Sequence, residues 1–371
     1  MRQALELARQ SWGQVEPNPM VGCLLVKDGR VVGQGRHRRF GGPHAEVEAL
    51  EQSGAEAAGA TCVVTLEPCC HRGKTAPCTE ALIRAGVSRV VIGCLDPNPQ
   101  VHGRGVDRLR AAGLDVTVGV LEDECLRLVA PFAKLIQTGR PWVIAKWAMT
   151  LDGHLASRTG DSKWISSPES RERGHRLRGG VDAIVVGIET VLADDCRLTA
   201  RPPGPRTATR VVLDRRARLP LESRLVRTAH DVPVLVAVGP EAEPERIGAL
   251  ESAGCQIWRS DSADRLEFWE GLQREMGRRE WTQILVEGGA RVLGTCFDTQ
   301  SVDEVHVFVS PKIIGGEQAP SAVGGVGVAG ICEAFELVQP QFTALSGDIY
   351  LSGRIDRSKH REPEDIHRES I

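Results

Sequence analysis

The sequence has 371 residues, of which 41% are hydrophobic and 26% are charged, and its net charge is -3. These proportions are ordinary for a soluble globular protein, and a typical domain size of about 150 residues predicts two or three domains. The charge is nearly balanced and only 4% of the residues are aromatic. A protein that binds nucleic acid is expected to have a basic groove and aromatic side chains for base stacking, so both features argue against a nucleic-acid partner.

No uninterrupted run of about eighteen apolar residues is present, so no membrane-spanning helix is expected. The first residues, Met1–Glu6, lack the apolar core of a secretory signal. The 11 cysteines are odd in number, which favours reduced thiols over a set of disulfides. We therefore expect a cytoplasmic protein in which the cysteines outside residues 69–78 are small core residues or inert thiols.

The first third of the chain alternates apolar, strand-like runs with helical patterns. A helix is predicted over residues 2–11, and the turn Lys27-Asp28-Gly29-Arg30 joins two strands, over 21–26 and near Val31, as a hairpin. Pro43 precedes a helix predicted over 44–52, a common arrangement at helix starts. The elements that follow are strands over 61–66, 89–95 and 115–121, with helices over 78–85, 103–112 and 122–137. This order predicts a mostly parallel sheet with helices packed against it.

A second α/β unit begins after Thr138-Gly139-Arg140-Pro141, whose composition is typical of a boundary. Its predicted strands cover residues 142–149, 183–187, 209–214, 233–238, 283–286, 304–311 and 349–354. Its predicted helices cover residues 168–178, 244–252, 266–278 and 290–297. The last residues are polar and charged without periodicity, and we expect them to be disordered. The predicted domains are therefore 1–138 and 139–355, followed by a tail over 356–371.

One stretch of the first unit contains the parts of a hydrolytic zinc centre. It begins with His44-Ala45-Glu46 and, after a predicted strand, continues with Glu67-Pro68-Cys69-Cys70-His71 through Cys78. An imidazole and two thiolates suit zinc and leave a fourth position for water, whose pKa zinc lowers. A nearby carboxylate can then move protons. The pattern resembles the zinc-deaminase signature His-x-Glu with Pro-Cys-x-x-Cys, but 8 residues instead of two separate Cys69 from Cys78.

A purely structural zinc site is the alternative. Structural sites close all four positions with protein ligands, usually from closely spaced cysteine pairs. No second close pair is available and Glu46 stands beside His44, so we favour a catalytic site with His44, Cys69 and Cys78 as ligands. Cys70 competes with Cys69, which we prefer because it occupies the Pro-Cys position of the signature. We interpret His71, which could also bind metal, as a substrate-facing residue.

The motifs of the second unit are weaker. Gly325-Val326-Gly327-Val328-Ala329-Gly330 has the spacing G-x-G-x-x-G, but no strand precedes it and no clear helix follows, so we reject it as a dinucleotide-binding fingerprint. Val286-Glu287-Gly288-Gly289-Ala290 is a better phosphate candidate, because a strand leads through two glycines into a helix start. Taken alone, neither motif identifies an activity.

The combined motifs resemble those of a known family, the bifunctional deaminase–reductases of riboflavin biosynthesis. The motifs that carry the resemblance are Pro17–Gly22, His44-Ala45-Glu46, Thr65–Cys69, Gly73-Lys74-Thr75 through Cys78, and Asp96–Pro99. The long gap between the two cysteines is the pattern of this subclass, and the resemblance covers nearly everything before the tail. It implies an α/β protein with a cytidine-deaminase-like three-layer domain, followed by a domain similar in fold to dihydrofolate reductase.

For the first domain, the resemblance implies that His44, Cys69 and Cys78 bind one zinc ion and that Glu46 is the catalytic proton shuttle. Asn18 is expected to contact the pyrimidine. The long loop between the cysteines is expected to bring two further side chains near the substrate, His71 and Lys74.

For the second domain, the resemblance implies NADPH binding without the Rossmann fingerprint. The implied cofactor contacts are Ala148, Trp164, Thr190, Asp194, Gly289, Ala290, Arg291, Val292, Leu293, Gly294 and Thr295. The implied substrate contacts are Ser162, Arg178, Leu198, Arg201 and Glu287. Arg178 and Arg201 suit a guanidinium clamp on the ribose phosphate, because arginine grips phosphate bidentately. Arg215 and Arg216 are our own candidates for reading the 2′-phosphate of NADPH.

The sequence therefore predicts a bifunctional riboflavin-biosynthesis enzyme. Zinc-dependent deamination of 2,5-diamino-6-(5-phosphoribosylamino)pyrimidin-4-one is followed by NADPH-dependent reduction of the ribosyl group, giving 5-amino-6-(5-phosphoribitylamino)uracil. The expected partners are this small molecule and further copies of the chain in a homo-oligomer, with no nucleic acid and no membrane. Two alternatives stay open at this point: a nucleic-acid base deaminase with an accessory domain, and a non-enzymatic, zinc-stabilised binding protein.

Overall fold

The computed structural model of the chain describes residues 1–71 and 76–357. Two compact units divide the chain, and each is described by itself below. The first consists of Met1–Pro141 with Met276–Thr282, and the second consists of Trp142–Glu275 with the described residues from Gln283 onward. The domain limits given above remain predictions. The tail that we expect to be disordered lies, from residue 358 on, outside the described residues.

Every helix and strand predicted for the first unit is present, with ends that differ by a few residues. The helices are α1 (Arg2–Arg9), α2 (Ala45–Ser53), α3 (Cys78–Arg84), α4 (Arg104–Ala111) and α5 (Glu122–Thr138), and a short 3-10 helix covers Gly54–Ala57. The strands are β1 (Gly22–Lys27), β2 (Arg30–Arg36), β3 (Thr61–Leu66), β4 (Arg89–Cys94) and β5 (Asp115–Val118).

The five strands form one sheet in the order β2-β1-β3-β4-β5. β3, β4 and β5 are parallel, whereas β1 pairs antiparallel with both β2 and β3. The sheet is therefore mixed rather than mostly parallel. One buried cluster contains residues of α2, α3 and α4, and a second cluster contains residues of α1 and α5. Helices cover both faces of the sheet, as the expected three-layer arrangement requires.

Two glycines of β2 allow α2 to lie unusually close to the sheet. A Cβ atom at Gly33 would stand 2.2 Å from the carbonyl oxygen of Ala49, and one at Gly35 would stand 2.1 Å from that of Ala45. Both distances are far below van der Waals contact, so only glycine fits at these positions. This close packing sets the position of the first turn of α2, which carries Glu46.

The second unit contains more elements than were predicted. Its strands are β6 (Trp142–Thr150), β7 (Ala183–Gly187), β8 (Thr209–Leu213), β9 (Val234–Val238), β10 (Gln256–Arg259), β11 (Gln283–Val286), β12 (Glu304–Ser310), β13 (Leu337–Leu345) and β14 (Asp348–Ile355). Its helices are α6 (Pro168–Arg178), α7 (Ile188–Asp194), α8 (Arg224–Arg227), α9 (Pro244–Ser252), α10 (Arg265–Arg278) and α11 (Ala290–Asp298), and a short 3-10 helix covers Ile331–Glu333.

The nine strands form one sheet in the order β10-β9-β8-β7-β11-β6-β12-β14-β13. Pairing is parallel from β10 to β12 and antiparallel for the last two pairs. β10, β13, α7 and α8 were not predicted. β10 and β13 lie at the two edges of the sheet and have mostly exposed or half-buried residues, so neither shows the apolar pattern of a buried strand. α7 and α8 are too short for a helical period to be recognised.

Among the described residues, no helix has the length and apolar character needed to cross a membrane.

A buried carboxylate ties together two loops of the first unit. Glu67 follows β3, and its side chain accepts hydrogen bonds from the backbone N–H groups of Asp96 (3.1 Å), Gly103 (2.9 Å), Gly105 (2.8 Å) and Val106 (3.1 Å). Two donors reach each of its oxygens. Charge-assisted bonds to a buried carboxylate are stronger than neutral ones. Glu67 therefore fixes the segment between β4 and α4 relative to the end of β3.

Glu67→Gln should loosen this segment. The glutamine side chain keeps one acceptor oxygen but places an NH2 group opposite two backbone N–H donors, which then lose their acceptor. This loss should reduce the free energy of unfolding by about 2–4 kcal/mol. Hydrogen–deuterium exchange in peptides covering residues 96–106 should therefore accelerate, while peptides of the second unit keep their rates. Glu80→Gln is the matched control, since Glu80 makes only a partly exposed ion pair with Arg108 at 3.7 Å. Equal effects of the two substitutions would contradict the role given to Glu67.

Candidate functional sites

The first unit contains a cavity of about 340 Å³ at the end of β3. The side chains of its walls come from the β1–β2 region, the start of α2, and the segments after β3 and β4. Its lining residues are Asn18, Pro19, Val21, His37, Phe40, Gly41, Gly42, His44, Glu46, Leu66, Glu67, Cys69, His71, Asp96, Asn98 and Phe132.

Three candidate metal ligands converge beside this cavity, and two of them, His44 and Cys69, line it. His44 is the N-cap residue of α2, Cys78 is the first residue of α3, and Cys69 follows β3 by three residues. His44 Nδ1 lies 3.2 Å from Cys78 Sγ and 3.6 Å from Cys69 Sγ. The three ligand atoms lie within 4.8 Å of one another. Among the described residues, Cys70 does not belong to this group.

This arrangement fits zinc. Tetrahedral zinc with bonds of about 2.0–2.3 Å holds its ligand atoms roughly 3.5 Å apart, close to the two distances measured from His44 Nδ1. The donor set of one imidazole and two thiols is the set that zinc prefers. Three protein ligands leave a fourth position free for water or substrate, as catalytic zinc sites require.

The electrostatics of the centre favour a thiolate. A hydrogen bond from Cys78, with further help from His44 and the backbone N–H of Cys78, lowers the pKa of Cys69 to about 4. The pKa of Cys78 is raised by the same contact with Cys69 and by burial. The hydrogen bond with Cys69 also raises the pKa of His44. The first proton therefore leaves Cys69, which is held ready to bind a cation.

Glu46 lies in the first turn of α2 and is 4% exposed. Burial raises the pKa of its carboxyl group, although His44 nearby acts in the opposite direction. Glu46 lines the cavity but is not part of the ligand group. It is therefore a carboxyl group that can hold a proton beside a metal site without binding the metal.

Two of the three predicted substrate contacts of this unit line the cavity. Asn18 is half-buried there, and His71 is exposed at the same cavity. Lys74 lies outside the described residues, so its role remains a prediction.

Sequence reasoning assigned no role to His37 and Asp96, although both line the cavity. Burial raises the pKa of Asp96 to about 6, against the effect of the Asn98 N–H that binds the carboxylate. Asp96 belongs to the motif Asp96–Pro99, so the sequence contained a signal that could have identified it as a site residue. His37 belongs to no motif, and only its spatial position identifies it.

A larger cavity of about 970 Å³ lies in the second unit. Its walls include the end of β6, the segment after it, α6, α7 and the residues that follow β11. Every predicted substrate contact of this unit lines it: Ser162, Arg178, Leu198, Arg201 and Glu287. The predicted cofactor contacts that line it are Ala148, Trp164, Thr190, Asp194, Gly289 and Ala290.

The remaining predicted cofactor contacts do not line the cavity. Leu293, Gly294 and Thr295 are buried within α11, Val292 is half-buried and Arg291 is exposed. The segment thus enters the cavity through Gly289 and Ala290 only. α11 begins there without a side-chain cap, which leaves backbone N–H groups available to an anion such as a cofactor phosphate. The volume and this helix start fit a dinucleotide.

A buried charge cluster lies at the centre of this cavity. Arg178 donates to Glu287 through Nε (2.8 Å) and Nη2 (2.6 Å), and Lys146 Nζ lies 3.9 Å from the same carboxylate. Burial alone would raise the pKa of Glu287, but Arg178 and Lys146 outweigh it and lower the pKa to about 2. Burial lowers the pKa of Lys146. Lys146 was not predicted as a site residue, because a single lysine within an otherwise apolar strand forms no recognisable motif.

The predicted arginine clamp is only partly available. Arg178 already uses its two-nitrogen face to bind Glu287, whereas the Arg201 side chain contacts Thr199 Oγ1 at 3.2 Å and lies near Arg178 and Arg197. Burial and the two neighbouring arginines lower the pKa of Arg201. An anion that bound here would relieve this repulsion.

Arg215 and Arg216 are not among the residues that line the cavity. Arg215 donates to the carbonyl oxygen of Ala263, and Arg216 pairs with Glu241 at 2.8 Å. Their proposed contact with the cofactor remains a prediction. The rejected glycine motif has a structural role: Asp298 accepts hydrogen bonds from Val326 N and Gly327 N in an irregular loop.

Two family models match the chain. Residues 1–94 match the cytidine and deoxycytidylate deaminase zinc-binding region, and residues 141–351 match the RibD C-terminal domain.

Relatives match over nearly the whole length. The riboflavin biosynthesis protein RibD of Actinobacillus pleuropneumoniae is 38% identical over 351 residues, which cover 95% of this chain and 93% of that protein. RibD of Aquifex aeolicus is 40% identical over 352 residues, which cover 95% and 96%.

Solved structures agree with these relatives. A diaminohydroxyphosphoribosylaminopyrimidine deaminase/5-amino-6-(5-phosphoribosylamino)uracil reductase from Thermotoga maritima is 37% identical, with a TM-score of 0.83 and coverage of 96% of this chain and 97% of that one. Acinetobacter baumannii RibD, form 1, is 35% identical at the same TM-score of 0.83 and the same coverage of 96% and 97%. The expected fold, a cytidine-deaminase-like domain followed by a reductase domain, is confirmed. The chain belongs to the RibD family of bifunctional deaminases and reductases of riboflavin biosynthesis.

Proposed function

We propose that the chain catalyses two consecutive steps. The first is hydrolytic deamination of 2,5-diamino-6-(5-phosphoribosylamino)pyrimidin-4-one, and the second is NADPH-dependent reduction of the ribosyl group to a ribityl group. The observation that carries the proposal is the convergence of His44, Cys69 and Cys78 at a cavity that His44, Cys69 and Glu46 line. The Thermotoga maritima relative is named for the same two activities.

In the deaminase site, His44, Cys69 and Cys78 would hold one zinc ion, which when bound polarises a water molecule and lowers its pKa. Glu46 is the group that would accept a proton from the attacking water and deliver it to the amino group that leaves C2 as ammonia. Its raised pKa suits a group that must take up a proton and release it within one reaction. Oxygen replaces nitrogen at C2, so the ring becomes a uracil.

Substrate selection in this site is assigned to Asn18, His71 and Lys74. Asn18 and His71 lie at the cavity, where an amide and an imidazole can bind the polar edge of a pyrimidine. Lys74, in the loop between the two cysteines, is proposed to bind the phosphate group.

In the reductase site, bound NADPH would supply a hydride for C1′ of the sugar. Reduction at C1′ breaks the bond to the ring oxygen, which must then receive a proton. We assign this proton to Lys146, whose ammonium group lies in the cavity beside Glu287. Burial lowers its pKa toward the range in which a lysine can give up a proton. Glu287, which is itself held by two hydrogen bonds from Arg178, holds Lys146 in place, and Arg201 offers its charge to the phosphate.

We further propose that the protein acts in the cytoplasm as a homo-oligomer without a nucleic-acid partner. The support is the near-neutral charge of -3 and the match to a family of enzymes that act on a small molecule.

Glu46→Gln should abolish deamination while zinc stays bound. Glutamine cannot carry the proton, so ammonia release should fall about a thousandfold, and metal analysis should still find one zinc per chain. NADPH oxidation with the deaminated intermediate should not change. Glu51→Gln, an exposed position of α2, is the control. Ammonia release that survives Glu46→Gln would show that another group moves the proton.

Lys146→Arg should abolish reduction and leave deamination intact. Arginine keeps the positive charge beside Glu287 but does not release a proton in a protein, so substrate-dependent NADPH oxidation should fall roughly a hundredfold or more. Lys146→Met tests the charge as well. If Lys146→Arg reduces the substrate at the normal rate, Lys146 serves only to bind and the proton comes from elsewhere.

Glu287 should make the second unit sensitive to acid. Its folded pKa of about 2 lies below the ordinary value of 4.5, so its ion pairs stabilise the fold fully above about pH 4.5 and lose this effect as the pH falls toward about 2. The difference in thermal midpoint between the unaltered protein and Glu287→Gln should therefore shrink between pH 6 and pH 3. A difference that stays constant over this range would mean that the carboxylate is not held in its charged form by the fold.

A further inference from the structure

His37 makes two hydrogen bonds from the wall of the deaminase cavity. Its ring is buried at 3% exposure, Nδ1 lies 2.9 Å from the carbonyl oxygen of Pro43, and Nε2 lies 3.0 Å from the side-chain nitrogen of Asn18. Its ring also meets the edge of the His44 ring, with centroids 5.5 Å apart.

The partner of Nδ1 determines the tautomer. A carbonyl oxygen can only accept, so Nδ1 must carry the hydrogen. The atom of Asn18 that faces Nε2 is the amide nitrogen, which can only donate, so Nε2 carries no hydrogen and the ring is neutral. In a neutral ring with hydrogen on Nδ1, Nε2 has a lone pair and can only accept.

The tautomer in turn determines the orientation of the Asn18 amide. Only the NH2 group of Asn18 can donate to the lone pair of Nε2, whereas the carbonyl oxygen would be repelled by it. The amide of Asn18 is therefore oriented with Oδ1 away from His37. Among the described residues, no hydrogen-bond donor reaches Asn18 Oδ1, and Asn18 lines the cavity. The cavity wall thus presents an acceptor at this point.

We propose that His37 is a positioning residue for substrate recognition: it locks the Asn18 side chain so that Oδ1 accepts a hydrogen bond from a ring N–H of the pyrimidinone. This inference rests on the proposed deaminase function. The substrate class that it selects is a pyrimidine with an N–H beside the carbon that loses its amino group. A ring that presents a lone pair at that place would face the lone pairs of Asn18 Oδ1 and bind poorly.

Discrimination between the two kinds of ring depends on the fixed orientation of the Asn18 amide. An asparagine that can turn freely can offer NH2 or oxygen, and would then accept either kind of ring. A polar group that is fixed in one orientation rejects the mismatched ligand much more strongly, because turning the amide would leave Nε2 without its donor. Loss of the His37 acceptor should therefore reduce selectivity more than it reduces binding in general.

The tautomer can be measured directly on the zinc-loaded, full-length protein. Long-range 15N–1H correlation spectra of 15N-histidine-labelled protein, with His37 assigned from its absence in His37→Gln, should show hydrogen on Nδ1 and none on Nε2 at neutral pH. A ring with hydrogen on Nε2, or on both nitrogens, would overturn the proposal. This result does not depend on catalysis.

Selectivity is measured with two substrates, the diaminopyrimidinone and its analogue without the 4-oxygen, whose ring nitrogen presents a lone pair. In His37→Leu, the ratio of kcat/KM between the two should fall about tenfold relative to the unaltered protein. In His37→Gln, whose side chain can still accept from Asn18 while donating to Pro43, the ratio should be retained. Equal losses for both substrates in His37→Leu would show that His37 is merely structural and would overturn the proposal.

Each variant is checked for a zinc content of one ion per chain. If His37→Leu does not fold, the 15N–1H spectra of the unaltered protein test the proposal by themselves. Failure of the unaltered protein to release ammonia from the diaminopyrimidinone would refute the proposed function instead, and is thereby distinguished from failure of the lock.

Discussion

Several of the candidate site residues of each unit lie where parallel strands end. In the first unit Cys69 follows β3 and Asp96 follows β4, and in the second unit Glu287 follows β11. Neighbouring parallel strands bring their carboxyl ends to the same edge, so residues that are far apart in the chain become neighbours there. Helix starts add a second contribution, because α2 and α3 deliver His44 and Cys78 to the same place. Both cavities are consequences of this arrangement of elements.

The two cavities treat buried charge in different ways. Glu287 stays ionised because Arg178 and Lys146 surround it, and this cluster gives the reductase cavity a fixed charge pattern. Burial raises the pKa of Glu46, and the nearby His44 offsets this effect only in part. A paired carboxylate is suited to hold other groups in position, whereas an unpaired one is suited to exchange protons. In the proposed function, the same chemical group thus has a positioning role in one cavity and a proton-transfer role in the other.

At two glycine-rich segments, the spacing of glycines alone would suggest a nucleotide contact that the structure does not show or shows only in part. The G-x-G-x-x-G spacing at residues 325–330 lies in an irregular loop that Asp298 holds, which agrees with its rejection as a nucleotide motif. The segment from Gly289 to Thr295 reaches the cavity only at its first two residues, because the following turn of α11 is buried. A spacing of glycines does not by itself say which backbone groups face a ligand.

The sequence by itself determined the chemistry of the zinc centre and the order of most elements. The types and spacing of His44, Glu46, Cys69 and Cys78 restrict the metal and the reaction, and periodicity reveals buried strands and long helices. Edge strands such as β13 were not predicted, because an exposed strand has no apolar pattern.

Only the tertiary structure placed Lys146 beside Glu287, brought His37 to the wall of the deaminase cavity, and set Nδ1 of that ring against the carbonyl oxygen of Pro43. Each of these depends on which atoms of distant segments meet. That is set by strand order, register and the close approach of helices, and none of the three can be read from a local pattern.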